Sequence, residues 1–266
     1  MISRLPLILS MLLAVCADAA DLAREARVRE RIESGLHGGE ATMLQTADTR
    51  FLAILAPART PVTQGAVILA HDQGAHPDWP EVIRPLRTGL PDHGWQTLAL
   101  QMPLASADAR TGEYENLVPE AGRRLAFAAE FLAQQNIRNI AVIGHGLGAR
   151  MALEWLAQDA PEAVKALVVV GLETDPELPD SGALDALSRL QLPLLDLYGS
   201  RDPGASEAAA EARAAAALRA GNGKYRALEI EGADHDFHAL DTLLIARVRA
   251  WLHRVAGGTE RPLRRP

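Results

Sequence analysis

The stretch IAVIGHGLGAR, residues 140–150, decides how the rest of the 266-residue chain is read. Ile140, Ala141, Val142 and Ile143 form an apolar run with no polar face, as in a strand buried on both sides of a parallel sheet. Gly144, Gly146 and Gly148 follow at alternate positions, and a helical pattern begins at Gly148 and runs to 158. Strand, glycine-rich turn and helix in so few residues describe a βα unit whose turn is too tight for larger side chains. Such a turn lies at the carboxyl end of its strand, the edge where open α/β sheets bind their ligands.

The same rhythm extends in both directions. Apolar runs at 66–70, 97–101, 166–170, 193–198 and 225–230 read as further buried strands, and helical patterns lie near 80–91, 119–135, 204–220 and 239–255. Alternation of this kind predicts a mostly parallel sheet with helices on both faces. Ahead of it, 41–45 and 50–56 read as an antiparallel hairpin turning at Ala47 and Asp48, preceded by a charged, exposed helical lead-in over 21–32. Five of the eight histidines (His71, His76, His145, His235 and His238) fall just beyond strand ends, so the site is expected on that edge.

The turn resembles the nucleophile elbow of the α/β-hydrolase superfamily, G-x-S-x-G between strand and helix. Gly144 and Gly148 stand at the flanking positions, and Gly146 stands where the serine would be. The resemblance covers about residues 65–255 and implies an α/β-hydrolase-like fold. It places Asp202 and His235 at the acid and histidine positions, in the order elbow, acid, histidine. It also implies an oxyanion hole built from the N–H of Leu147 and one from the 71–74 loop, taken as Gln73. More narrowly, AHDQGAHPDW (70–79), GWQTLALQMP (94–103) and GHGLGAR (144–150) resemble a bacterial envelope family of unknown function with this fold. That likeness implies that the glycine-centred elbow is a family feature.

An elbow nucleophile sits at φ > 0, which costs a non-glycine residue about 1–3 kcal/mol. Glycine relaxes the turn but offers no atom to form an acyl-enzyme. Ser200 and Ser106 are the alternative hydroxyls, and neither is in the elbow. Asp72 stands where related enzymes carry glycine, and a carboxylate there would oppose a developing oxyanion. Asp202 and His235 can be read as a working acid–base pair, as an unused pair or as a structural hydrogen bond. In the working version His235, oriented by Asp202, activates a water in the space left at Gly146. His145 reads as a packed elbow residue. His71 and Asp72 either line the pocket or tie their loop to the sheet. Glu173 and Asp175 are alternative acids or a solvated turn. A metal site of His71, His76, His145, His235 and Asp72 is chemically possible, but no pair has a spacing such as H-E-x-x-H, and neither metal nor cofactor is expected.

Two connections bear on access. The segment 102–119, with Tyr114, is long for a strand-to-helix link and reads as a lid or an ordinary surface loop. About twenty residues between 170 and 193 leave room for one short helix near 184–190, hence a minimal cap and an open site.

Residues 1–20, MISRLPLILSMLLAVCADAA, carry Arg4, a short apolar run and then Ala17 and Ala19, which predicts a signal peptide cleaved after Ala19. The run is too short for a permanent span. One domain over 20–256 and a flexible tail over 257–266 bearing Arg261, Arg264 and Arg265 follow. A periplasmic or secreted location is expected, with acylation of Cys16 as the lipoprotein alternative. Cys16 is the only cysteine, so the mature chain has no disulfide and no thiolate. A composition of 48% hydrophobic and 23% charged residues excludes a disordered chain, and a net charge of −7 argues against nucleic acid as partner. The expected role is a non-catalytic or degenerate hydrolase that binds a small molecule, an envelope ligand or a protein. The alternative is hydrolysis of ester, thioester or acyl-glycan bonds through the His235–Asp202 water.

Overall fold

The computed structural model describes residues 20–109, 111–174 and 182–258. The expected signal peptide, Asp175 and the arginines of the tail lie outside these residues. Eight strands form one sheet: β1 (Glu40–Gln45), β2 (Arg50–Ala56), β3 (Gly65–Ala70), β4 (Trp95–Leu100), β5 (Ile140–His145), β6 (Val164–Val170), β7 (Leu194–Gly199) and β8 (Tyr225–Ile230). The spatial order is β1-β2-β4-β3-β5-β6-β7-β8. β1 pairs antiparallel with β2 and β2 antiparallel with β4, while every later pair is parallel. The predicted hairpin and parallel sheet are therefore both present.

Around it stand α1 (Leu22–Gly35), α2 (Ile83–Gly89), α3 (Val118–Gln134), α4 (Leu147–Gln158), α5 (Gly182–Leu187), α6 (Glu207–Arg219) and α7 (Asp241–Val255). Alternation along β3 divides the core. Ala66, Ile68 and Ala70 pack on the side of α3 and α4, whereas Val67 and Leu69 pack with α2 and α7. Both faces are covered, which is why the central strands are apolar throughout. The patterns at 80–91 and 239–255 resolve into α2 with a 3₁₀ turn, Leu90–His93, and into α7. The short helix expected near 184–190 begins two residues earlier, as α5.

The 102–119 segment is not a free lid in its described part. Met102, Leu104, Tyr114 and Leu117 are buried in the core. Its first residues are held by α1: Glu25 accepts from the Leu104 N–H at 3.2 Å, and Arg24 donates to the Ala105 carbonyl at 2.9 Å. Behind them Arg124 of α3, fully buried, donates to Glu25 at 3.0 Å, to Glu120 at 3.0 Å and to the Gln101 carbonyl at 2.8 Å. One guanidinium thus joins α1, α3 and the end of β4. Removing it while keeping its volume leaves two buried carboxylates facing one another. Arg124→Met is expected to cost on the order of 3–5 kcal/mol in urea unfolding and to free α1 for proteolysis. Unchanged stability would mean that α1 docks by its apolar face alone.

Candidate active site

β5 delivers the chain into the elbow, and the flanking glycines are needed by close approach. A Cβ on Gly144 would lie 2.5 Å from the Ala149 nitrogen, and one on Gly148 would lie 2.3 Å from the His71 carbonyl oxygen. Gly146 caps α4 at φ +50° and ψ −118°, a conformation that glycine adopts without a Cβ penalty. The elbow geometry expected from the sequence is present with no side chain at its apex.

The apex is filled from elsewhere. Asp72, in the turn after β3, extends its carboxylate over Gly146, and a Cβ on Gly146 would lie 2.1 Å from Asp72 Oδ1. Oδ1 accepts from the Leu147 N–H and the Gln73 N–H, each at 2.6 Å. These are the two donors expected to form the oxyanion hole, where donors at about 2.7–3.1 Å would meet a substrate oxyanion. Leu147 begins α4, so the helix dipole also favours an anion at this point. The Asp72 carboxylate, expected to oppose a developing oxyanion, takes up both of these donors itself.

Oδ2 of Asp72 faces His235. His235 Nε2–H donates to it at 3.1 Å, and Nδ1–H donates to Asp202 Oδ2 at 3.1 Å. Asp202 is buried, with Oδ1 accepting from the Gly204 N–H at 3.0 Å. Both neighbours of the ring are carboxylates and can only accept, so the imidazole holds both protons. The hydrogen bonds to Asp202 and then to Asp72 raise His235 to about 10. Burial pushes Asp72 upward, but the His235 hydrogen bond and the two N–H donors outweigh it and hold the carboxyl at about 2.

His145 lies beneath, fully buried, its ring 4.8 Å from that of His235. Its Nε2–H donates to the His235 carbonyl at 3.0 Å, and burial keeps the ring neutral. Nδ1 is left buried without a hydrogen-bond partner. Ligand atoms of Asp72, His145 and His235 all lie within 4.8 Å of one another.

The remaining sequence candidates serve other purposes. His71 is buried, donates from Nδ1 to the Asp72 carbonyl at 2.8 Å and accepts at Nε2 from the Met102 N–H at 3.0 Å. Burial holds it at about 3, so it is a neutral tie between the β3 and β4 loops. His76 packs edge-on against Trp79, and His238 pairs with Asp234 at the surface. Ser200 Oγ accepts from the Gly232 N–H at 2.8 Å, Ser106 is exposed in a turn, and Glu173 packs beside Gly204. Gln73 contributes its backbone only. The long-range pairing of Asp72 with His235 had no signal in residue spacing, since the two are 163 residues apart.

The ion pair has a pH signature. His235 lies above its ordinary 6.5, so its contribution is complete below that pH and is lost as pH rises through about 10. Asp72 lies below its ordinary 3.8, so its contribution is complete above that pH and is lost as pH falls through about 2. Asp72→Asn keeps the shape and removes the charge. The stability lost in this variant, from urea unfolding at a series of pH values, should be greatest between about pH 4 and 6.5 and shrink on either side. A loss independent of pH would contradict the pairing.

Comparison with solved structures gives the same architecture. A dienelactone hydrolase from Anabaena variabilis superposes with a TM-score of 0.63 at 20% identity, over 82% of this chain and 99% of that one. An esterase from Pyrococcus furiosus gives 0.68 at 14% identity, over 85% and 94%. The esterase domain of a Rhodothermus marinus protein gives 0.64 at 17% identity, over 83% and 100%. At these identities the likeness is one of fold, and the fold is that of the α/β-hydrolase superfamily. No curated protein sequence matches the chain. A family model described as a protein of unknown function, DUF3530, matches residues 14–121 and 106–254, and the chain belongs to that family.

Proposed function

We propose that this is a catalytically silent α/β-hydrolase-fold protein of the bacterial envelope, exported by the leader ending at Ala19, that binds a ligand or partner through its former active-site edge. The observation that carries this reading is the Asp72 carboxylate, hydrogen-bonded to Leu147, Gln73 and His235 at once. A substrate carbonyl would have to displace it from two charge-assisted hydrogen bonds. At about 1.5–3 kcal/mol each, these disfavour displacement by roughly 10²–10⁴-fold. Neutral His235 able to take a proton from water is about one molecule in a thousand at pH 7, given a value of about 10. The two effects together weigh against the His235–Asp202 water mechanism. Among the described residues no helix is long and apolar enough to cross a membrane.

The test compares wild type, Gly146→Ser and the double variant Asp72→Gly/Gly146→Ser on short- and medium-chain chromogenic esters and a fluorophosphonate probe. Wild type is expected to be silent. The single variant must place a Cβ where Asp72 Oδ1 now lies, so it should lose stability and label weakly. The double variant opens the hole and supplies a nucleophile facing His235, and should label at least about tenfold faster than the single variant. Wild-type turnover abolished by His235→Ala would refute the silent reading. Equal labelling of the single and double variants would show that Asp72 does not guard the hole.

A further inference from the structure

We propose that Asp72, His145 and His235 form a binding site for one divalent transition cation of the zinc class, a site that deepens the silent-edge reading and rests on it by naming what the edge holds. Two imidazoles and one carboxylate suit such a cation, and three features of the geometry favour coordination over packing alone.

The first is His145 Nδ1. Nε2 of that ring must carry the proton, because its partner is a carbonyl, so Nδ1 presents a bare lone pair. It is buried and unpartnered on a ring that lies 4.8 Å from the His235 ring, and an uncompensated buried polar atom is costly. A cation supplies the missing partner. The second is the support behind each ligand. His235 Nδ1–H is held by Asp202 and His145 Nε2–H by a carbonyl, while Oδ1 of Asp72 is fixed by two N–H groups. Outer partners of this kind orient metal-bound histidines and raise their basicity. The third is charge and access. With a divalent cation on Nε2 of His235 in place of its proton, Asp72 and Asp202 balance the charge. The side chains of His235 and Asp72 remain 22% and 24% exposed, which leaves an open coordination position for a further ligand.

The Asp72 and His235 atoms already stand 3.1 Å apart, close to the ~3.3 Å edge of a tetrahedron with bonds of about 2.0–2.1 Å. One ligand atom from each of the three residues lies within 4.8 Å of the others, a cluster of the size that one cation gathers. The wider sequence grouping narrows accordingly: His71 spends both ring nitrogens on backbone groups, and the His76 ring is turned to Trp79.

The probes are zinc and cobalt ions added to chelator-treated, tag-free protein, followed by calorimetry and by the visible ligand-field absorption of cobalt. One equivalent should bind to wild type, with cobalt absorption characteristic of nitrogen and oxygen ligands. Asp72→Asn and His145→Gln should each weaken binding at least about tenfold, and the glutamine can still donate toward the His235 carbonyl. His238→Ala, which removes the exposed His238–Asp234 pair, should leave binding unchanged. If His145→Gln does not fold, Asp72→Asn with an intact unfolding transition decides alone. No uptake by wild type, uptake indifferent to Asp72→Asn, or uptake lost with His238→Ala would overturn the site. Failures are separable: no uptake alongside silent ester assays overturns the cation site alone, whereas ester turnover by chelator-treated protein overturns the silent reading beneath it.

Discussion

A single carboxylate, that of Asp72, sets the electrostatics of the whole edge. Two backbone N–H groups at 2.6 Å hold one oxygen, and a histidine that is itself held by Asp202 meets the other. Each partner depends on a different part of the fold. The Leu147 N–H points outward because α4 starts there, and Asp202 and His235 come from the loops after β7 and β8. The glycine at the elbow is part of the same arrangement, since any side chain on Gly146 would displace the carboxylate. Glycine at 146 and aspartate at 72 are two halves of one solution. The first vacates a volume, and the second fills it with a charge that the helix end and the histidine stabilise.

Buried ionic networks carry this arrangement back into the scaffold. Arg124 joins α1 and α3 to the Gln101 carbonyl, the next residue's N–H holds His71, and His71 holds the Asp72 carbonyl. On the other side, buried Arg213 bridges Asp196 of β7 at 2.7 Å and the Leu172 carbonyl at 3.2 Å, beside the loop that follows β6. Asp196 also accepts from Tyr225 at 2.6 Å. Such pairs add little net stability compared with an apolar core, but breaking one side is costly, so they fix geometry. The site loops are positioned by charges that cannot be left single.

Much of this could be read from residue order. The uninterrupted apolar runs marked buried strands, and their spacing marked crossovers, because the sheet is covered on both faces; the run at 225–230, read the same way, is instead the edge strand β8, with Arg226 and Glu229 exposed and only Ile230 buried. The paired glycines of the elbow announced a close approach that the Cβ distances bear out. The resemblance of the elbow to that of the α/β-hydrolases implied Asp202 and His235 as acid and histidine, and the two side chains meet at 3.1 Å. What residue order did not carry was the direction of the Asp72 side chain. A carboxylate after β3 can face solvent, the sheet or the elbow, and the choice rests on donors contributed by residues far along the chain. The segment 102–119 was ambiguous for a similar reason: its burial is decided by α1, whose charged composition read as an exposed lead-in, although Glu25 is buried against Arg124.

The central claim is that His235 is locked as an imidazolium between Asp72 and Asp202. Nitrogen-15 NMR of the histidine ring in the chelator-treated full protein, followed across pH, tests it most directly. Both ring nitrogens of His235 should stay protonated through neutral pH and lose a proton only near 10. A His235 ring that titrates close to its ordinary 6.5, and is neutral at pH 8, would contradict the lock and return the site to ordinary acid–base chemistry.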